Sequence, residues 1–134
     1  MAGEPTTQAD RVARSLKRLG CGRVFTLSGN HIMSIFDAAI EAGLDLVHVR
    51  HEAAAVHMAD AWGRLTGKPG IAMVTGGPGH ANAVGALYTA LGAESGQVLA
   101  VLWRCNGRQR REVATQRLES ITFVVNLMRS AEAE

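Results

Sequence analysis

The sequence has few cysteines, no long apolar run and no apolar leader, and each absence narrows the class of protein. Its two cysteines, Cys21 and Cys105, lack the spacing of a metal or redox motif, so we expect reduced thiols without a disulfide framework. No apolar run approaches the roughly 20 residues of a membrane-spanning helix, so we expect no membrane partner. The polar N-terminus lacks a signal-peptide core, and we therefore expect a cytoplasmic location.

The net positive charge and the aromatic content are also low. The net charge is +2 and aromatic residues make up 4% of the chain, which leaves little basic surface and few stacking rings for a nucleic acid. We therefore expect no nucleic-acid partner. The 134 residues, 47% of them hydrophobic, are sufficient for one globular domain with a modest core.

Strand and helix patterns alternate along most of the chain. Short apolar runs typical of buried strands lie at residues 24–27, 44–49, 71–74 and 98–103. Helical spacing of apolar residues is found at about residues 7–19, 32–40, 52–65 and 81–91. Leu19 and Ile40 fall on the apolar faces of the first two of these helices. The alternation predicts an α/β protein with three layers, α/β/α, around a mostly parallel sheet of five to six strands.

Ligands of such sheets bind at the carboxyl ends of the strands. The segments that follow three of the strands are residues 28–31, 50–52 and 75–80, and the last of these contains a Gly-Gly-Pro-Gly loop. Glycine lets a ligand approach the backbone closely. Glu52 begins a helix, where a carboxylate is stabilised by unpaired N–H groups, so it is either an ordinary first-turn acid or a functional one.

Two familiar sites are excluded by spacing. His51 and Glu52 are followed by His57, which does not give the two histidines four residues apart of a zinc H-E-x-x-H motif. The loop sequence GGPGHA does not fit the dinucleotide-binding pattern G-x-G-x-x-G. We expect no metal site on this chain.

Three motifs together point to a family. They are RHEAA at residues 50–54, ADAWGRLTGKPG at residues 59–70 and GPGHAN at residues 77–82. In this combination the chain resembles the aminopyrimidine-binding (Pyr) domain of thiamine-diphosphate enzymes, with the acetolactate-synthase and 2-oxo-acid-decarboxylase group as the nearest match. The resemblance is clear over residues 5–93 and implies the Pyr-type α/β/α fold.

The resemblance also implies roles for individual residues. Glu52 matches the glutamate that hydrogen-bonds the pyrimidine nitrogen N1′ and activates the cofactor as a proton-sharing acid. The residues implied to lie against the pyrimidine are Gly77, Pro78, Gly79 and Asn82. For the Gly-Gly-Pro-Gly element a tight strand-to-helix turn is an equally valid interpretation. The candidates for the substrate side are Gly29, Asn30, His31 and His80, although both histidines could be ordinary solvated loop residues.

Only half of a cofactor site is implied by this resemblance. Relatives hold the diphosphate through a divalent metal, Mg²⁺, on a second (PP) domain that carries a G-D-G motif, and this sequence contains no G-D-G. We therefore expect a PP domain or subunit as partner, and no catalysis by this chain alone. The alternative is a truncated or frameshifted fragment that keeps the Pyr fold, self-associates and has no catalysis of its own.

A surface for that partner, or for a second copy of the chain, is implied on the helix after Glu52. The candidates are Met58, Ala61, Trp62 and Leu65, and ordinary core packing is the competing interpretation. We expect a homo- or hetero-oligomer.

The last part of the chain has a different composition. Residues 104–134 contain six of the fourteen basic residues, all of them arginine, and the apolar run at residues 121–125 has no place in the preceding pattern. We therefore assign the Pyr domain to residues 1–103 and treat residues 104–134 as a divergent tail. The abrupt gain of arginine suggests translation out of the ancestral reading frame.

Overall fold

A computed structural model describes residues 7–93 with their side chains and the backbone of residues 98–103, 114–118 and 121–125. Cys105 and most of the arginine-rich tail lie outside the described residues. The helices are α1 (Gln8–Arg18), α2 (Met33–Glu41), α3 (Glu52–Thr66) and α4 (Pro78–Gly92), with a single 3-10 turn at Asn30–Ile32 before α2. The strands are β1 (Arg23–Thr26), β2 (Asp45–His48), β3 (Gly70–Thr75), β4 (Val98–Trp103), β5 (Ala114–Leu118) and β6 (Ile121–Val125).

The six strands form one sheet in the order β2-β1-β3-β4-β6-β5. All neighbours are parallel except β5 and β6, which pair antiparallel. The apolar run for which the sequence offered no place is β6, and it pairs in parallel with β4. The predicted mostly parallel sheet of five to six strands is confirmed, and it continues past residue 103, where we placed the end of the domain.

The sheet separates two hydrophobic cores, and successive side chains of its central strands point into one core and then the other. Val24, Ile71 and Met73 pack with α1 and α2 on one face of the sheet. Phe25 and Ala72 pack with α3 and α4 on the other face. Because successive residues of a strand point to opposite faces, this division produces the predicted three layers.

The layer of α3 and α4 packs on the sheet mainly through small buried residues. Five alanines of the two helices are fully or almost fully buried: Ala55, Ala59, Ala83, Ala86 and Ala90. A Cβ atom at Gly70, the first residue of β3, would overlap the carbonyl of Ala59 on α3. The backbone of α3 is thereby packed directly against the first residue of β3.

The helix boundaries agree with the sequence in most places and differ in a few. Thr7 and Asp10 form a complete capping box at the start of α1, and α3 ends at Gly67, whose φ of 67° is left-handed. The last helix begins at Pro78 rather than near residue 81, so part of the predicted loop at residues 75–80 is its first turn. Leu19 and Ile40 were wrongly assigned to apolar faces, since they are 66% and 63% exposed.

Two further properties bear on the expectations above. No helix in the part of the chain that the structure describes is long and apolar enough to cross a membrane. Burial raises the pKa of the Cys21 thiol, so this cysteine is less reactive than an exposed one.

We predict that Gly70→Ala destabilises the fold by about 1–3 kcal/mol or more, because the new methyl group must push α3 away from β3. Urea unfolding followed by circular dichroism measures the change. The matched control is Gly85→Ala in α4, where a Cβ meets nothing within 4 Å. That variant should be neutral or stabilising by up to about 1 kcal/mol. Equal losses for the two variants would contradict the close packing of α3 on β3.

Candidate functional site

The parallel register brings three chain segments to one edge of the sheet. Thr26 at the end of β1 pairs with His48 at the end of β2 and with Met73 near the end of β3. The segments that leave these strands lead to the 3-10 turn, to α3 and to α4. The three segments predicted from the sequence therefore meet at the carboxyl edge, as expected for a parallel sheet.

Glu52 is the buried acid of this edge. It is the first residue of α3 and is only 8% exposed; among the buried side chains of residues 7–93, the only other polar one is Thr26. His51 caps the helix, since its Nδ1 accepts a hydrogen bond of 3.2 Å from the backbone N–H of Ala53. The helix N-terminus thus places the carboxylate where the partial positive charge of the helix favours it.

Asn82 holds one oxygen of this carboxylate. Its Nδ2 donates to Oε2 of Glu52 at 2.9 Å, across the contact between α4 and α3. The resemblance placed Asn82 against a cofactor, whereas the structure shows its amide on Glu52. Sequence spacing could not reveal this pair, because its members are 30 residues apart and belong to different helices.

Gly79 forms the wall beside the carboxylate. A Cβ atom at this position would lie 3.0 Å from Oε1 of Glu52 and 2.8 Å from Cγ2 of Thr75. Gly77 precedes α4 with a φ of 79°, which favours glycine and turns the chain from β3 into the helix, and Pro78 then begins that helix. The Gly-Gly-Pro-Gly element is therefore a tight turn, as one interpretation predicted, and its last glycine also makes room for Glu52.

The remaining predicted residues lie around Thr75 or at the rim. A Cβ atom at Gly29 would lie 2.7 Å from Cβ of Thr75, and His31 Nδ1 is 3.3 Å from Thr75 Oγ1. Asn30 is exposed and His80 is half-buried in the first turn of α4. Neither makes a side-chain hydrogen bond to another of the residues that the structure describes.

The structure thus brings Glu52, Gly79 and Asn82 into direct contact, and it joins Gly29 and His31 through Thr75. Sequence reasoning missed Thr75. The available signal was its position as the last residue of β3, immediately before the glycine loop. No group of three His, Cys, Asp or Glu side chains suited to a metal ion occurs within the described residues.

Comparison with known proteins identifies the family of the chain. The family model for the thiamine pyrophosphate enzyme, N-terminal TPP binding domain, matches residues 6–123, which include Glu52 and the whole carboxyl edge. The chain belongs to this family. The match also takes in β4, β5 and most of β6, and so it extends beyond the clear resemblance at residues 5–93.

Several curated proteins are similar to the chain. A probable acetolactate synthase of Mycobacterium bovis is 35% identical over 126 residues, which are 90% of this chain and 22% of the relative. The acetolactate synthase isozyme 3 large subunit of Escherichia coli is 46% identical over 88 residues, 65% of this chain and 15% of that protein.

A lyase is also among the similar proteins. The 2-hydroxyacyl-CoA lyase 2 of Danio rerio is 46% identical over 91 residues, 68% of this chain and 15% of the relative. This chain therefore spans about a fifth of the length of the curated relatives it matches, or less. Its fold is that of the thiamine-diphosphate-binding N-terminal part of acetolactate-synthase-like enzymes.

We predict an energetic coupling of about 1 kcal/mol between Glu52 and Asn82, since hydrogen bonds to charged groups stabilise by about 1.5–3 kcal/mol and the exposure of Asn82 to solvent lowers this contribution. A double-mutant cycle of Glu52→Ala and Asn82→Ala, measured by urea unfolding, gives this quantity. The control cycle pairs Glu52→Ala with Asn30→Ala at the exposed rim, where we expect additive effects. Additive effects in both cycles would contradict the hydrogen bond.

Proposed function

We propose that this chain binds the aminopyrimidine half of thiamine diphosphate and that Glu52 is the acid that activates the cofactor. The observation that carries the proposal is the state of the Glu52 carboxylate. It is buried at a helix N-terminus, one oxygen is held by Asn82, and the other lies beside a position without a side chain at Gly79. Family membership supports thiamine diphosphate as the ligand.

The residues of this edge are suited to a flat heteroaromatic ring. A carboxylate oxygen can accept a hydrogen bond from a protonated ring nitrogen, and glycine at position 79 exposes backbone for close approach. Asn82 fixes the rotamer of Glu52 and leaves Oε1 for the ligand. We propose that Gly77, Pro78 and Gly79 lie against the ring, with Asn82 acting mainly through the carboxylate.

When bound, thiamine diphosphate supplies a carbon nucleophile and a sink for the electrons released from the substrate. Glu52, whose side chain is buried, would hydrogen-bond the ring nitrogen N1′ and share a proton with it, which is the role of a positioned general acid. Gly29, Asn30, His31 and His80 lie in the segments at the same edge of the sheet, and we propose that they face the substrate.

We propose that the diphosphate half of the cofactor is bound by groups that do not belong to this chain. The sequence contains no G-D-G motif, and the relatives are several times longer than this chain. We propose that a PP domain or subunit holds the diphosphate through Mg²⁺, and that this chain alone binds the cofactor weakly. With that partner the activity would be a carbon–carbon bond reaction of the acetolactate-synthase or lyase class.

The alternative function is that of a fragment. The chain would then keep the Pyr fold, associate with a second copy and catalyse nothing. The two functions differ in whether Glu52 meets a cofactor, so binding of the aminopyrimidine distinguishes them.

We predict that the ¹⁵N resonance of N1′ in pyrimidine-labelled thiamine diphosphate moves toward the position of a protonated ring nitrogen when the chain is added. Glu52→Gln should abolish this movement while ligand line broadening persists, because glutamine can accept a hydrogen bond but cannot share the proton.

The matched control is Glu41→Gln, which removes an exposed carboxylate from α2 and should leave the N1′ signal as in the unchanged chain. Identical N1′ resonances with Glu52→Gln and with the unchanged chain would contradict the role of Glu52. In a separate experiment the chain is added to inorganic pyrophosphate or to thiamine. If the resonances of pyrophosphate broaden and those of thiamine do not, the assignment of this site to the pyrimidine is contradicted.

We also propose that the exposed face of α3 contacts a second copy of the chain or the PP partner. Met58 and Leu65 are 40% and 86% exposed, and Ala61 between them is exposed. Trp62 is half-buried: its ring contacts that of Phe25 at a centroid distance of 6.3 Å and lies under the guanidinium of Arg23 at 5.0 Å. Trp62 therefore belongs in part to the core of the chain, and the partner surface is formed by the other three residues.

We predict that Leu65→Asp weakens self-association at least about tenfold, since it places a charge in an apolar contact. Light scattering after size-exclusion chromatography measures association, and circular dichroism should remain unchanged. The control is Leu19→Asp, which is also exposed (66%) but lies at the end of α1 on the opposite layer and should leave association unaltered. A monomeric parent chain, or a fully associated Leu65→Asp variant, would contradict a self-association surface on α3.

A further inference from the structure

Thr75 occupies a central place at the carboxyl edge, between Gly29 of the segment after β1 and Gly79 of its own segment. Its Cβ, Cγ2 and Oγ1 would lie 2.7, 2.8 and 2.9 Å from a Cβ atom at Gly29. Its Cγ2 would lie 2.8 Å from a Cβ atom at Gly79, and Glu52 Oε1 would lie 3.0 Å from the same point. Thr75 is therefore packed against both glycine turns and is a close neighbour of the Glu52 carboxylate.

This packing fixes the direction of the threonine hydroxyl. The methyl group faces Gly79, so that Oγ1 is left to face the 3-10 turn, where His31 Nδ1 lies 3.3 Å away. His31 follows Gly29 by two residues, and the backbone of Gly29 packs against Thr75 as well. The contact joins residues 44 positions apart in the sequence and connects the substrate-side turn to the end of β3.

We propose that Thr75 is a positioning residue that donates its hydroxyl proton to Nδ1 of His31 and so fixes the neutral ring in the tautomer with its proton on Nε2. In a neutral imidazole one nitrogen donates and the other accepts, and the hydrogen bond made by one nitrogen determines which is protonated. His31 then offers an N–H group, suited to an oxygen acceptor such as the carbonyl or carboxylate of a substrate.

The direction of the hydrogen bond follows from the partners available. Among the described residues, His31 Nδ1 is the hydrogen-bond partner of the Thr75 hydroxyl, and no second acceptor bonds that hydroxyl there. If Nδ1–H donated instead, the hydroxyl proton of a half-buried residue would have no acceptor among these residues, which is the less favourable arrangement.

The test is ¹⁵N NMR of the full chain with labelled histidine, recorded at a pH where the imidazoles are neutral. The His31 signals are assigned by their loss in His31→Gln. We expect Nδ1 to resonate as an unprotonated and Nε2 as a protonated nitrogen. Thr75→Val, which keeps the shape but not the hydroxyl, should move both signals toward a mixture of tautomers, whereas Thr75→Ser should retain the original pattern. His57, exposed on α3, is the internal reference and should not change.

A protonated Nδ1 in the unchanged chain would overturn the proposal, and so would identical His31 spectra for the unchanged chain and Thr75→Val. If Thr75→Val does not fold by circular dichroism, Thr75→Ala replaces it, since it removes the hydroxyl without adding volume. That His31 faces a substrate rests on the proposed function, but the tautomer is measured without cofactor or substrate. Failure of the tautomer test therefore leaves the N1′ measurement intact, and the reverse also holds.

Discussion

The hydrogen bond between Asn82 and the buried carboxylate of Glu52 is the interaction on which the site depends. Taking a carboxylate out of water costs several kcal/mol. The helix N-terminus returns about 0.3–1 kcal/mol, and the hydrogen bond from the exposed amide of Asn82 about 1 kcal/mol. These contributions fall short of the cost, so stability alone does not explain an acid at this position. A first-turn acid that served only the helix would be expected to remain exposed.

The surrounding fold is arranged so that this carboxylate can be both buried and approached. Small residues let α3 and α4 lie close to the sheet, with the backbone of α3 directly against Gly70. Gly79 leaves space beside Oε1, and Thr75 fills the space between the two glycine turns. The result is an edge in which the polar groups are held by packing while a ligand would meet mostly backbone.

The periodicity of the sequence predicted the layers and the position of the three converging segments, because alternation of short apolar runs and helices is a local property. The partner of Asn82 and the role of Thr75 were not predictable in this way, since both depend on contacts between distant elements. The start of α4 was misplaced because Pro78 and Gly79, typical of loops, are also tolerated in the first turn of a helix.

Sequence periodicity also failed to predict which apolar residues of the helices are exposed. Leu19 and Ile40 fit the spacing of an apolar stripe but lie beyond the edge of the core, which only the packing of α1 and α2 defines. The place of the apolar run at residues 121–125 in the fold follows from its pairing with β4, which the run itself does not reveal. Pairing partners of a strand are not encoded in the strand itself.

The most direct test of the central claim is a crystal structure of the chain with thiamine diphosphate, and the decisive quantity is the distance between Glu52 Oε1 and the pyrimidine nitrogen N1′. We predict a hydrogen bond of about 2.7–3.2 Å, with Asn82 still donating to Oε2. A pyrimidine ring bound elsewhere, or a Glu52 carboxylate that bonds only Asn82 while the ring is present, would contradict the account.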